Sequence, residues 1–247
     1  MRILVFSDVH ANVVALDTVL RAAGPVDAYW FLGDAVGYGP DPNAVLDRLR
    51  ALPRCHCLLG NHDAAIVGRL PLGWFNLDAQ RVLMWTRNVL HEDNLAFLRR
   101  LEPIHTQGKT VLAHASPRDP LEEYVLSEES ARANLQTLAY RYGFIGHSHI
   151  PLAWVPRLDG LGADLMRPQD ADYGRPFALP EVAVLLNPGS VGQPRDGDPR
   201  AAYAIYDDEA NTWTWHRVPY DLDAARARFA QVPAIPPRFS KRLLEGR

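Results

Sequence analysis

Side chains that can bind metal follow apolar segments at five places along the chain. In each place a short apolar run ends in a small or tight-turning residue, and an aspartate, asparagine or histidine comes next. The segments read ILVFSDVH, YWFLGD, HCLLGNHD, TVLAH and GFIGHSH, and they supply Asp8, His10, Asp34, Asn61, His62, Asp63, His114, His147 and His149. Five of the nine histidines of the chain belong to this pattern. Core packing does not explain one residue class at every strand end.

The donor types indicate the kind of metal. Carboxylate, imidazole and amide oxygen without thiolate suit Mn, Fe, Zn or Ni rather than copper or an iron–sulfur centre. Seven of these nine side chains as ligands, one of them an aspartate able to bridge, exceed the needs of one tetrahedral zinc and suit two ions about 3.5–4 Å apart. Two cations so close require a bridging carboxylate and a bridging hydroxide, and they lower the pKa of that water to make a nucleophile at neutral pH.

The elements that must position these residues alternate along the chain. Apolar runs predict strands at residues 3–6, 28–33, 56–60, 110–114 and 143–146. Helical spacing predicts helices at residues 12–24, 42–52, 77–101 (one helix or two) and 128–140, with Asn12 as a cap. Such alternation favours a parallel or mixed sheet covered by helices. The carboxyl ends of parallel strands gather around one crevice, so the five endings can converge.

The second half of the chain predicts fewer helices. Residues 156–180 are rich in Pro, Gly and Asp and indicate a long surface loop or hairpin. Apolar runs at residues 182–187, 201–207 and 212–218 predict strands of a second sheet that closes a sandwich. Because no repeat or low-complexity segment appears, we expect one domain, residues 1–247. A tail from about residue 221, helical and then irregular, is expected at its periphery.

Composition narrows the partners and the compartment. The 247 residues are 47% hydrophobic with a net charge of −3, so no broad basic field for nucleic acid is indicated, although a local basic patch stays open. The apolar run in MRILVFSDVHAN is too short for a signal peptide, and no window reaches the ~18 apolar residues of a membrane span. Cys55 and Cys57 are expected as unbridged apolar residues in or near a strand, which fits a reducing cytoplasm.

The motifs in their order resemble those of the calcineurin-like metallophosphoesterase superfamily. They are Asp-x-His at 8–10, Gly-Asp at 33–34, Gly-Asn-His-Asp at 60–63, His114 and Gly-His-x-His at 146–149, and the resemblance runs from residue 3 to about 206. The segments GDAVGYGPDPN and LNPGSVGQPRDGDPRAAYAIYD resemble the small prokaryotic phosphodiesterase-like branch. The resemblance implies a four-layer α/β/β/α sandwich of two mixed sheets, with helices on the outer faces and a dimetal site at the sheet ends.

Carried over by position, the resemblance also implies residue roles. One metal would be held by Asp8, His10, Asp34 and His149, and the second by Asp34 as a bridge with Asn61, His114 and His147. His62 would stay free of metal and would protonate the leaving oxygen or stabilise the transition state, which fits general-acid chemistry. Asp63 would either orient His62 or cap the helix that follows.

Two departures from the family pattern bear on the substrate. Ala11 stands where a glycine often follows Asp-x-His, a change we expect to be tolerated. GDAVGYGPDP lacks the Asp-Arg-Gly ending of protein serine/threonine phosphatases, which argues against a phosphoprotein substrate. Arg118, Arg195 and Tyr38 lie on loops beyond the ligand segments and are candidate substrate contacts, since an arginine fork suits phosphate. The alternative for each is a solvated arginine or a packed tyrosine.

The sequence therefore predicts a dimetal phosphoester hydrolase that acts on a small phosphoester or nucleotide. A phosphodiesterase is favoured, with Mn preferred for activity, a metal-bridging hydroxide as nucleophile and His62 assisting the leaving group. A phosphomonoesterase and a nucleotide pyrophosphatase stay open, as does a catalytically silent interaction scaffold on the same fold. A metallo-β-lactamase-type site is rejected, because Ile-Pro-Leu follows His149 where that motif needs Asp-His.

Overall fold

The computed structural model describes residues 1–157, 162–167 and 172–247. Within them the chain forms twelve strands and eight helices. The strands are β1 (Arg2–Phe6), β2 (Ala28–Phe31), β3 (Cys55–Cys57), β4 (Ile104–Gln107), β5 (Thr110–Ala113), β6 (Tyr142–Phe144), β7 (Pro151–Pro156), β8 (Ala163–Met166), β9 (Phe177–Ala178), β10 (Val184–Pro188), β11 (Ala201–Asp207) and β12 (Thr212–Val218). The helices are α1 (Val13–Ala22), α2 (Pro42–Ala51), α3 (Asn61–Ile66), α4 (Leu77–Val89), α5 (Glu92–Arg100), α6 (Glu128–Thr137), α7 (Leu222–Ala230) and α8 (Pro237–Glu245).

The strands form two mixed sheets of six. The first has the order β3-β2-β1-β11-β12-β9, and the second has the order β4-β5-β6-β10-β7-β8. In the first sheet β1, β2 and β3 are parallel, and β11 joins β1 antiparallel. In the second sheet β5, β6 and β10 are parallel. The predicted α/β fold with two mixed sheets is confirmed.

Strand β1 shows why the sheets stack between helices. Ile3 and Val5 pack in a core shared with β5, β6 and β10 of the other sheet, whereas Leu4 and Phe6 pack on the opposite face in a core shared with α1 and α2. All four side chains are buried, because successive residues of a strand point to opposite faces and both faces are covered. A third core, between β7, β10 and α6, covers the outer face of the second sheet.

Several element boundaries differ from the sequence-based prediction. The run 77–101 forms two helices, and His91 is the N-terminal cap residue of the second. Strands β4 and β7 were not predicted. Strand β8 lies inside the Pro/Gly-rich region and pairs with β7. Residues 158–161 and 168–171 of that region lie outside the described residues. Asn12 caps α1 as predicted, since its Oδ1 accepts a hydrogen bond from Ala15 N at 3.1 Å.

Two larger differences concern the last third of the chain. The runs 201–207 and 212–218 were predicted in the second sheet, which is wrong: β11 pairs with β1 and places β12 in the first sheet, and only β10 joins the second. The end of the tail is helical rather than irregular, because Phe239 and Leu243 lie one turn apart on α8 and are both buried in the core beside α1 and α2. In the described part of the chain no helix has the length and apolarity needed to cross a membrane. Cys55 and Cys57 are both free.

Candidate metal centre

The candidate ligands lie on the loops that leave five parallel strands. The loops after β1, β2 and β3 of the first sheet and those after β5 and β6 of the second approach one another at one end of the sandwich. Hydrogen bonds join the two sheets there: His147 N donates to Asp8 Oδ2 at 3.1 Å, and His114 Nδ1 donates to Leu32 O at 2.9 Å. The crevice predicted at the carboxyl ends of the strands is therefore formed by both sheets together.

The backbone turns sharply at the candidate ligands. Five of them have positive φ angles between +46° and +63°, a left-handed conformation that is uncommon outside glycine: Asp8, His10, Asp34, His147 and His149. Such strain concentrates at functional sites, where the surrounding structure enforces it. Residues two apart share one side in an extended segment, but His147 and His149 do not lie in one. Strand β6 ends at Phe144, and the two imidazoles are aimed by left-handed turns.

The side chains gather in two buried clusters that share one aspartate. The first cluster is Asp8, His10, Asp34 and His149, and the second is Asp34, His114 and His147; within each, the ligand atoms lie within 4.8 Å of one another. Asn61 adjoins the second cluster, with Oδ1 3.1 Å from His114 Nε2. All seven sequence-predicted ligand candidates are thus brought together, with His147 and His149 in different clusters.

Backbone carbonyls fix the tautomers of three histidines. Nδ1 faces a carbonyl oxygen in each: His10 faces Val36 at 3.0 Å, His114 faces Leu32 at 2.9 Å and His149 faces Gln193 at 2.5 Å. A carbonyl oxygen only accepts hydrogen bonds, so Nδ1 carries the proton and Nε2 carries a lone pair. A backbone partner of this kind is the usual way in which proteins orient a metal-binding imidazole.

The lone pairs and carboxylates then point at one another. His10 Nε2 lies 3.0 Å from His149 Nε2, and Asp34 Oδ2 lies 3.5 Å from His10 Nε2 and 3.7 Å from His114 Nε2. Asp8 Oδ1 and His147 Nε2 are buried and have no hydrogen-bond partner among the described residues. Acceptors packed together without protons to share need cations, so this donor set fits divalent metal ions.

Burial sets the protonation of the clusters. Burial holds the pKa values of His10 and His147 well below the usual range, so both imidazoles are neutral, as metal ligands must be. Burial also raises the pKa of Asp34 well above its usual range, and the neighbouring Asp63 and Asp8 add to the rise.

His62 stands beside the clusters with a free ring nitrogen. Its backbone N–H donates to Asp34 Oδ1 at 2.9 Å, while its ring packs against His10, Tyr38 and Phe75 with centroids 4.5–4.9 Å away. Its Nδ1 is buried and has no hydrogen-bond partner among the described residues. Burial, followed by the charge of Arg195, holds the pKa of His62 well below its usual range.

Asp63 holds the loop around His62 and not the imidazole itself. Its carboxylate accepts hydrogen bonds from the backbone N–H groups of Gly60, Ala35 and Val36 at 3.0–3.1 Å. The bond from Gly60 caps α3, and the other two tie the loop after β2 to that helix. Of the two roles left open for Asp63, the observed contacts are those of a cap.

Gly37 offers a way to test the placement of His62. A Cβ on Gly37 would lie 2.3 Å from His62 Nδ1, so Gly37→Ala must displace the ring. We expect kcat of phosphoester hydrolysis to fall by on the order of tenfold or more, with metal content unchanged, because misplaced acid–base groups lose such factors. Gly24→Ala is the matched control, since Gly24 also has positive φ but open space around it. Equal kcat for the two variants would contradict the prediction.

The clusters open into a cleft of about 230 Å³. Its lining includes two of the three candidate substrate contacts, Tyr38 and Arg195, together with Trp74, Phe75, Glu122 and Tyr124. The guanidinium of Arg195 lies 5.7 Å from the centre of the Tyr38 ring and donates to Gln193 Oε1 at 3.0 Å. Arg118 does not line the cleft; its guanidinium pairs with Glu123 at 3.4 Å.

Asn187 is a positioning residue that was not among the predicted site residues. At the end of β10 it is fully buried and donates from Nδ2 to Gly146 O at 2.7 Å and to Ser148 Oγ at 3.0 Å, which fixes the loop that carries His147 and His149. The available signal was the pattern found at the other five sites, a polar residue that ends an apolar strand, here in VAVLLNPGS.

Comparison with known proteins decides the family. Residues 1–211 match the family model described as the calcineurin-like phosphoesterase superfamily domain. The chain belongs to this superfamily. An uncharacterized protein of Methanocaldococcus jannaschii is 34% identical over 99% of this chain and 98% of its own length. The crystal structure of a metallophosphoesterase from Sphaerobacter thermophilus is 37% identical over the whole of both chains, with a TM-score of 0.89.

A more distant likeness concerns the fold alone. A hypothetical protein from Pyrococcus horikoshii covers 100% of this chain and 98% of its own, with a TM-score of 0.80 at 19% identity. Superfamily membership confirms the resemblance drawn from the motifs, and it makes the protein a phosphoesterase-type hydrolase with buried Asp/His clusters that could hold metal.

Proposed function

We propose that the protein is a phosphodiesterase that works with two divalent metal ions. Among the divalent metals, Mn²⁺ supports the highest activity. The observation that carries this proposal is the sharing of Asp34 by two buried clusters whose imidazole lone pairs face inward. Asp8, His10, Asp34 and His149 hold one ion, and Asp34, Asn61, His114 and His147 hold the other. Bound ions would supply Lewis acidity toward phosphoryl oxygens and would make water acidic enough to serve as a nucleophile at neutral pH.

The remaining groups of the cleft act on the substrate. Arg195 binds a phosphoryl oxygen, since its fork is free of any carboxylate within 4.0 Å among the described residues. His62 assists the leaving oxygen with its ring N–H, and its ring is held for this purpose between Tyr38 and Phe75. Asp63 keeps the loop after β2 on the first turn of α3, and this holds Asp34 and His62 together.

The charges of the cleft support a diester rather than a monoester substrate. Arg195 is the one arginine or lysine that lines the described cleft, and Glu122 belongs to the same lining. A phosphodiester carries one negative charge, whereas a monoester carries close to two at neutral pH and would meet Glu122 with less compensation.

The proposal is tested by hydrolysis after metal exchange. The full chain is stripped with a chelator, reloaded with Mn²⁺, Fe²⁺, Zn²⁺ or Ni²⁺, and assayed on bis-4-nitrophenyl phosphate, 4-nitrophenyl phosphate and a dinucleotide pyrophosphate. We expect the diester with Mn²⁺ to have the highest kcat/KM and the stripped protein to be inactive. Faster hydrolysis of the monoester would show that the protein is a phosphomonoesterase, and faster hydrolysis of the pyrophosphate would show that it is a nucleotide pyrophosphatase. A metal-loaded protein that hydrolyses none of them would be an interaction scaffold.

A further inference from the structure

Two large aromatic side chains stand exposed at the mouth of the metal cleft. Trp74 is 60% exposed and Tyr124 is 48% exposed, and both line the cleft into which the clusters open. Most of the other lining side chains are polar or charged. Large aromatic rings left open to solvent beside such groups are typical of binding surfaces, because they bury much area at little entropic cost when a ligand covers them.

Both rings are built into the site. Trp74 ends a single 3₁₀ turn, Leu72–Trp74, and the next residue, Phe75, packs edge-on against His62 with centroids 4.9 Å apart. Tyr124 lies over the His147 ring at 4.0 Å with the planes 32° apart. Trp74 therefore directly precedes the residue that packs on His62, and Tyr124 itself packs on a candidate metal ligand.

The two aromatic residues also share the cleft with a cationic side chain. Arg195 shares the cleft lining with Trp74 and Tyr124 and packs over Tyr38. An arginine fork binds phosphate, and an aromatic face binds a planar base by stacking, whichever base it is. The cleft thus offers together the two recognition elements of a nucleotide.

We propose that the substrate is a nucleobase-bearing phosphodiester whose base stacks on Trp74 and Tyr124 while Arg195 holds its phosphate. This inference rests on the proposed function. The small cleft and the net charge of −3 favour a free nucleotide ester over a long nucleic acid, which needs an extended basic surface. An aliphatic ester group would gain little from the rings.

Two esters with the same leaving group provide the test. Thymidine 5′-(4-nitrophenyl phosphate) and methyl 4-nitrophenyl phosphate break the same bond, and one carries a base and the other does not. We expect kcat/KM of the manganese-loaded protein to favour the thymidine ester by about tenfold or more. Trp74→Ala and Tyr124→Ala should each reduce this ratio several-fold, whereas Trp74→Phe, which keeps a ring, should retain most of it. Leu77→Ala, at an 81% exposed position outside the cleft lining, is the control that leaves both esters unchanged.

A binding measurement separates this inference from the proposed function. Thymidine monophosphate should bind the metal-loaded protein about tenfold more tightly than methyl phosphate in calorimetry, and Trp74→Ala should remove that difference. Tighter binding of oligothymidylate would assign the base to a nucleic-acid end instead of a free nucleotide. Equal kcat/KM for the two esters, or equal affinities, overturns the base proposal alone. If neither ester is hydrolysed, the proposed function fails and the calorimetry decides whether a base is recognised.

Discussion

Replacing Asp34 with asparagine will lower phosphoester hydrolysis by on the order of 1000-fold and will reduce the metal content of the chain. Asp34 is the one side chain common to both clusters, and its Oδ2 lies within 3.7 Å of an imidazole nitrogen of each. An amide oxygen carries no net charge and bridges two cations poorly, so the repulsion between the ions is no longer compensated. The ion of the second cluster, which then has only His114, His147 and Asn61, should be lost first.

The measurement is metal content by mass spectrometry beside kcat on bis-4-nitrophenyl phosphate. We expect about two ions per wild-type chain and one or fewer in the variant, which should stay folded because asparagine matches the buried volume. Asp223→Asn is the matched control, since the Asp223 side chain is 95% exposed and its one ion pair among the described residues is with Arg226 on the same helix. Two bound ions together with wild-type kcat in the Asp34 variant would show that Asp34 does not bridge.

His62→Gln should lower kcat by about 100- to 10,000-fold without changing the metal content. In the structure His62 belongs to neither cluster, its Nδ1 has no partner among the described residues, and its ring is held in the cleft by Tyr38 and Phe75. If it protonates the leaving oxygen, its loss must cost more when that oxygen is a strong base. The drop should therefore be larger for an alkyl ester than for a 4-nitrophenyl ester, whose leaving group needs little help.

Comparison of kcat for the two leaving groups in wild type and variant measures this difference. His91→Gln, at an exposed position that begins α5, is the control and should match wild type on both esters. An equal loss on both esters would show that His62 stabilises the transition state without transferring a proton. Loss of metal would instead make it a ligand.

The candidate ligands were predictable from the sequence because their signal is local. Each ligand lies where an apolar run gives way, within about eight positions, to residues that can bind metal, as in GFIGHSH. Such a change marks the end of a strand. Cap chemistry was equally local: Asn12 was predicted to cap α1 and does so. The roles of Asp63 and Asn187 depend instead on backbone groups distant in sequence, such as Val36 and Gly146, and no local pattern names those partners.

Sheet membership was decided by tertiary structure. Strands β10, β11 and β12 were all predicted from apolar runs, yet β10 lies beside β6 and β11 lies beside β1, about 200 residues away in sequence. The tail helix α8 contains only nine residues. Its residue Phe239 becomes part of the core only because it packs against Tyr38, which is distant in sequence. Periodicity states that a strand or helix has an apolar face, but it does not say which surface will cover that face.

By itself the sequence determined the candidate metal ligands, the succession along the chain of the strands that carry them, and the superfamily to which the chain belongs. The tertiary structure decided that left-handed turns, and not strand alternation, aim His147 and His149 into separate clusters, that carbonyl oxygens set the histidine tautomers, and that Arg195 enters the cleft while Arg118 does not. The physical reason is one of range. Residue type and spacing are properties of neighbours in the chain. The direction of a side chain depends instead on hydrogen bonds and packing with distant segments, such as Val36, 26 residues from His10, and Asp8, 139 residues from His147.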